Sequence, residues 1–242
     1  MTVHAVAGEA DTFSLVSGHS YLVETASGRY DSNLSRGAMK ITQGTSEVYL
    51  PFGALSSAWI HARIYQESLT ARDSYISLRN AAGDETEYRL NIDVSGFLTV
   101  EKYASSTFVS LGTTSAAAIE ADTLQDLDIF LDNGGSGSFE IYRNGVSLLS
   151  YSGDTASDSA VAMIRFEGLT AASREMNLSQ VMVADESTIG WKLSTLAPDG
   201  NGAQNAWTND YTAVDEFDYN ASDFIETNAT AQTETVTLSD IN

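Results

Sequence analysis

The feature that most restricts what this chain can fold into is a two-residue rhythm of apolar and polar side chains, broken at short intervals by turn-forming residues. In "WIHARIYQ", Trp59, His61, Arg63 and Tyr65 alternate with Ile60, Ala62, Ile64 and Gln66, and "YRLNIDV" sets Leu90, Ile92 and Val94 together. In "DLDIFLD", Asp126, Asp128, Phe130 and Asp132 share one parity, and Leu127, Ile129 and Leu131 the other. A period of two is that of an extended strand, and such alternation describes antiparallel strands packed on one side and wet on the other. Similar runs recur from "TFSLVS" to "MNLSQVMVA", and none sustains a helical apolar period, although "AAAIEADTLQDL" at 116–127 reads as a short turn of helix. The segments 127–131 and 138–143 flank "DNGGSGS", and Asn144-Gly145 marks a second hairpin turn. About a dozen short strands and two prolines predict an all-β chain built as a two-sheet antiparallel sandwich.

A chain of 242 residues is long enough to bury a substantial core without staples. The lack of cysteine removes disulfides, zinc-thiolate sites and thiol nucleophiles. A net charge of -21 argues against nucleic acid and anionic membranes as partners, because both call for lysine and arginine. "MTVHAVAGEADTF" has neither a basic n-region nor an apolar h-region, and no run is long and apolar enough to span a bilayer. Synthesis in the cytoplasm without a signal peptide is therefore expected. The charge is uneven: residues 185–242 hold 11 acids and one base, Lys192.

Four patterns invite a chemical reading. "DLDIFLD" offers carboxylates on one strand face, as glycosidases of sandwich folds do. Here, however, the outer positions are both aspartate and Phe130 stands where a third acid would, so no catalytic residue is assigned and the chain is expected not to be an enzyme. His4, His19 and His61 are the only histidines, and no nucleophile-elbow motif accompanies them. "DGNGAQNAWTND" places Asp199, Asn201, Asn205 and Asp210 at calcium-loop spacing, but lacks the central glycine and the closing glutamate. The sequons at Asn33, Asn177, Asn220 and Asn228 carry little meaning without a secretory signal. Last, Trp191, Trp207, Tyr211, Phe217, Tyr219 and Phe224 lie in a region with few aliphatics and are candidate interface anchors.

Taken together, "AWIHARIYQES", "YRLNIDVSGFLTVEKY", "LDIFLDNGGSGSFEIYRNGVSLLSYSG", "FEGL" and "MNLSQVMVAD" resemble a concanavalin A-like jelly roll of the laminin-G and lectin type, over roughly residues 10–184. The resemblance implies a hairpin with an Asn-Gly turn before the last strands. It also makes Asp132 and Asn133 calcium candidates beside a glycan site; no other cofactor is implied. The continuation resembles the C-terminal pattern of tailed-phage virion structural proteins, through Ala184-Asp185, Pro198, Gly200, Gly202, Trp207-Thr208, Val214-Asp215-Glu216, Asp223 and Ile225. It implies an N-terminal arm at 1–10, a jelly-roll sandwich at 11–184 and an irregular acidic extension at 185–242. The function implied is that of a bacteriophage virion component, decorating the capsid or attached to head or tail. Its partners would be other virion proteins and itself, most simply as a trimer. The alternative is a glycan-binding receptor module of the virion, and the second alternative a polysaccharide hydrolase.

Overall fold

Residues whose alternate side chains are apolar must pair as strands and bury one face, and the computed structural model shows them doing so. It describes residues 2–7, 22–23, 39–42, 47–167, 175–192, 198–205 and 234–238. Among these there are sixteen strands and no helix. Sheet A contains β1 (Val3–Ala7), β2 (Leu22–Val23), β3 (Met39–Thr42), β5 (Ser57–Gln66), β10 (Leu124–Asp132), β11 (Gly137–Arg143), β12 (Val146–Gly153) and β14 (Glu175–Ala184). Its order is β12-β11-β10-β5-β14-β3-β2, and β1 pairs with β14 alongside β3. Sheet B contains β4 (Glu47–Leu55), β6 (Arg72–Arg79), β7 (Thr86–Ile92), β8 (Leu98–Ala104), β9 (Thr107–Thr113) and β13 (Val161–Glu167), in the order β4-β13-β6-β7-β8-β9.

Both sheets are antiparallel, and their inner faces share one core. Leu127, Ile129 and Leu131 are buried with Ile60, Ile64, Phe139 and Ile141 of sheet A against Leu90, Ile92, Leu98, Val100, Ile164 and Phe166 of sheet B. A one-residue slip of β10 would exchange these aliphatics for its aspartates, so the register is firmly specified. This is the two-sheet jelly-roll sandwich expected. The 116–127 stretch departs from expectation, because no helix forms there. Ala118 and Ile119 both donate backbone N–H groups to Gly96 O, and β10 begins at Leu124. The alanines are drawn into a tertiary contact that outweighs their helical propensity.

The Asn-Gly turn is as read. Asn144 and Gly145 take φ of 49° and 77°, the positive pair that a two-residue hairpin demands. At the other hairpin, Gly137 is required by proximity, since a Cβ there would lie 2.0 Å from Asp132 O and 2.3 Å from Thr155 Oγ1.

Val3–Ala7, assigned to an arm from the sequence, is a strand of the sandwich, running antiparallel to β14 from Val3↔Ala184 to Ala7↔Val181. Thr2 N donates to Asp185 Oδ1 at 2.6 Å, and Asp185 N to Thr2 O at 3.1 Å. The backbone N–H of Thr2 holds the Asp185 carboxyl below the usual aspartate range. The chain divides into two compact units, Met1–Arg29 with Gly37–Trp191, and Tyr30–Arg36 with Lys192–Asn242. In the second, β15 (Pro198–Asn205) and β16 (Glu234–Leu238) form an antiparallel ribbon.

Candidate functional site

The outer face of sheet A gathers some of the chemistry-bearing residues that the sequence offered, namely His61, Asp126, Asp128 and Asp132. Register aligns Arg63 with Asp126, His61 with Asp128, and Trp59 with Phe130 across β5 and β10. Across β10 and β11 it aligns Asp128 with Tyr142 and Phe130 with Glu140, and across β11 and β12 Glu140 with Ser150 and Ser138 with Ser152. The face divides into two halves of different character.

In one half the polar groups are turned inward and mostly paired, although His61 Nε2 and Asp128 Oδ2 are buried without a hydrogen-bond partner. Asp128 is fully buried; its Oδ1 lies 2.8 Å from His61 Nδ1 and accepts the Thr188 hydroxyl at 2.8 Å. The residues following β14 form a strap over it, in which Trp191 N donates to Thr188 O and Ile189 packs beside Gly145. Asp128 therefore points away from the core, as expected, but the expectation that it is solvated is wrong: His61, Thr188 and the strap take the place of water. Asp126 is paired with Arg63 Nε at 2.7 Å. No two open carboxylates face each other on β10, which is the arrangement that a glycosidase reading of "DLDIFLD" needed.

In the other half the functionality is open. Trp59, Phe130 and Tyr142 are partly exposed, and Trp59 lies tilted against the other two, with Trp59–Phe130 centroids 4.9 Å apart at 31° and Trp59–Tyr142 centroids 5.9 Å apart at 34°. Around them stand Glu140, Asp132 and Ser138, partly exposed, and Ser57, Ser150 and Ser152, exposed. The Tyr142 hydroxyl donates to Glu140 Oε2, and that bond, helped by burial, pushes the phenol up to about 12. The result is an aromatic platform rimmed by hydroxyls and carboxylates, on central and edge strands of one sheet.

The calcium candidates fare differently from each other. Asn133 is committed to its own loop: its amide donates to Ser157 Oγ at 3.0 Å and Ser159 O at 3.2 Å, and its oxygen accepts Ser157 N at 3.0 Å. The Asp132 side chain is partly exposed, and its backbone oxygen accepts the Thr155 hydroxyl. Among the described residues no three His, Asp or Glu side chains are grouped to hold a metal ion. Asp199, Asn201 and Asn205 lie on β15, an extended strand, which corrects the looped arrangement that their spacing suggested; Asp210 lies outside the described residues. Asn177 is buried on β14, so this sequon is closed to a glycan. Of the aromatic interface candidates, Trp191 is partly exposed in the strap, and Trp207, Tyr211, Phe217, Tyr219 and Phe224 lie outside the described residues.

Sequence reasoning placed Trp59 and Phe130 on a strand face without assigning them a role, and missed Glu140, Tyr142 and Thr188. The parity of "FEIYR" was a usable signal for Glu140 and Tyr142; Thr188 sits in no periodic element and gave none.

No protein-family model matches the sequence, and no curated protein is found to be similar to it. Solved structures do share its architecture. The receptor binding domain of botulinum neurotoxin D superposes with a TM-score of 0.51 at 11% identity, over 76% of this chain and 49% of that one. The endo-beta-1,4-glucuronan lyase of the fungus Trichoderma reesei gives 0.52 at 14% identity, over 76% of this chain and 96% of that one. The binding domain of Paraclostridial Mosquitocidal Protein 1 gives 0.50 at 13% identity, over 76% and 49%. The chain spans about half the length of the two binding domains. At such identities the likeness establishes the fold.

Proposed function

We propose that this chain is a non-enzymatic saccharide-binding module of a phage virion, recognising a neutral glycan on the host surface through Trp59, Phe130 and Tyr142. The observation that carries this reading is the platform itself. The clustered rings offer an apolar surface to the C–H face of a pyranose, while Glu140, Asp132 and the flanking serines stand ready for its hydroxyls. The carboxylates at the rim and a net charge of -21 disfavour an acidic sugar. Two of the similar structures are binding domains by name, which agrees with the reading. Placement on a virion rests on the resemblance of residues 185–242 to tailed-phage proteins.

Capsid decoration through the terminal segments is the competing role. It draws less support, because Val3–Ala7 and the strap are spent on their own sandwich, and β15 and β16 pair with each other. A hydrolase is disfavoured by the burial of Asp128 and the pairing of Asp126.

The test is a glycan array with the purified chain, followed by calorimetry on the best neutral ligand. Trp59→Ala, which removes the central ring, should weaken binding by about 2 kcal/mol, roughly thirtyfold. Equal binding by parent and variant would sink the platform; release of sugar from the ligand would revive the enzyme.

A further inference from the structure

The two edges of sheet B are finished differently. β4 carries Pro51, exposed on the strand, and Gly53 at φ 85°, devices that stop another strand from adding. At the opposite edge, β9 carries neither proline nor charge. It lies within residues 103–119, the longest run in the sequence without a charged side chain. Thr107, Val109 and Ser110 are exposed, Val109 at 43%, so the edge is open to solvent. β9 pairs with β8 alone, and among the described residues its backbone makes no hydrogen bond outside that ladder. The ladder is irregular at Leu111, between Ser110 and Gly112, which limits the straight part to Thr107–Ser110. Sheet A ends on the same side at β12, but there Leu148 O is already taken by Ser115 N.

Between the two edges lies an open depression of about 320 Å³, lined by Lys102, Val109, Leu111, Tyr151 and Asp154. It is part apolar, and its one lysine is neutralised: Lys102 Nζ lies 2.8 Å from the Asp154 carboxylate.

We propose that β9 is the self-association edge of this protein, pairing antiparallel with β9 of a second copy to join two six-stranded sheets into one. The occupant is identified by charge. Two chains each of net charge -21 repel each other, and an edge without charged side chains, such as β9, lets them meet with less repulsion. Pairing satisfies the free backbone groups on both edges, and the inward side chains of the second β9 fall over the Val109, Leu111 and Tyr151 depression. Such a contact is two-fold, so it makes a dimer in place of the expected trimer.

The chain lacks cysteine, which makes cross-linking clean. Single-cysteine variants at Thr107, Val109 and Ser110 would be oxidised mildly, with Val94→Cys, exposed on a loop, as control. Light scattering over a wide concentration range at about 0.15 M salt would run in parallel on the parent and Val109→Lys. The expected result is a concentration-dependent dimer, its loss in Val109→Lys, and disulfide formation at one β9 position at least tenfold faster than at Val94. A parent that stays monomeric throughout would overturn the proposal. So would a dimer that survives Val109→Lys with no β9 position cross-linking faster than the control. If Val109→Lys fails to fold, the cysteine series decides alone.

Discussion

On the outer face of sheet B, Arg72 and Arg165 share the carboxylate of Glu167, and Arg89 binds Glu101 while lying 3.8 Å from the Phe108 ring centroid. Arg79 reaches the Tyr49 hydroxyl at 3.2 Å and the Asp84 carbonyl at 3.2 Å. On the outer face of sheet A near β11, by contrast, the rings cluster and most of the surrounding hydroxyls stand exposed. Both faces use the same strand lattice. In sheet B the charged groups are mostly matched within the chain, Arg79 Nε being buried without a partner, so that face helps hold the strands together. In sheet A the unmatched groups are gathered at one end, and the matched ones, Asp128 with His61 and Thr188, lie under the strap. A surface whose groups already satisfy one another has little to offer a ligand; one with unspent donors, acceptors and aromatic area does.

The largest effect that would test this contrast is in the buried pair. Asp128→Ala leaves His61 Nδ1 and the Thr188 hydroxyl without an acceptor in a fully buried site, and should cost about 3–5 kcal/mol in chemical denaturation. Glycan affinity of the folded fraction should be unchanged; a matching loss of affinity would place Asp128 in the binding surface.

Next is Glu167→Gln, which deprives two largely buried guanidinium groups of their shared anion. A cost of about 2–3 kcal/mol in stability is expected, again without effect on glycan binding. A neutral result would mean that the arginine face holds less than its geometry suggests.

Tyr142→Phe is smaller. Losing the bond to Glu140 should cost about 1 kcal/mol of stability or less, and calorimetry should show glycan binding weakened only a few fold, since the ring remains.

The smallest effect concerns Glu87, which accepts the Ser159 N–H at 2.9 Å and leaves Oε1 buried and unpartnered. Burial raises its pKa, with Glu85 and Asp158 adding to the effect. A raised carboxyl favours the fold most at acid pH, below its unfolded value, and that advantage is lost as pH rises through the folded value. Glu87→Gln should therefore gain stability on the parent between acid and neutral pH, measured as the difference in denaturation midpoints. A constant difference across that range would show that Glu87 does not titrate with unfolding.

The legibility of the fold in the sequence follows from which forces are local. Leu127, Ile129 and Leu131 announced their inward face because period two is a property of one strand, and Asn144-Gly145 announced its turn because positive φ is a property of those residues. The alanines at 116–118 misled because their fate depends on Gly96, distant in sequence. The site shows the same division. The outward parity of Asp128 and Phe130 could be read in advance, but the pairing of Phe130 with Trp59, and of Asp128 with His61, depends on which strands become neighbours. Thr188, sixty residues from Asp128, could be found only in three dimensions.

The pairing of β1 with β14 also sets how the molecule bears load. Thr2 and Asp185 sit together at one end of an antiparallel ladder, so tension applied between them opens the strand one rung at a time, as a zipper opens, and never shears several bonds together. In an optical trap with handles at these two positions, β1 should come away at low force, at about 3.4 Å of extended chain per residue freed, before the sandwich yields.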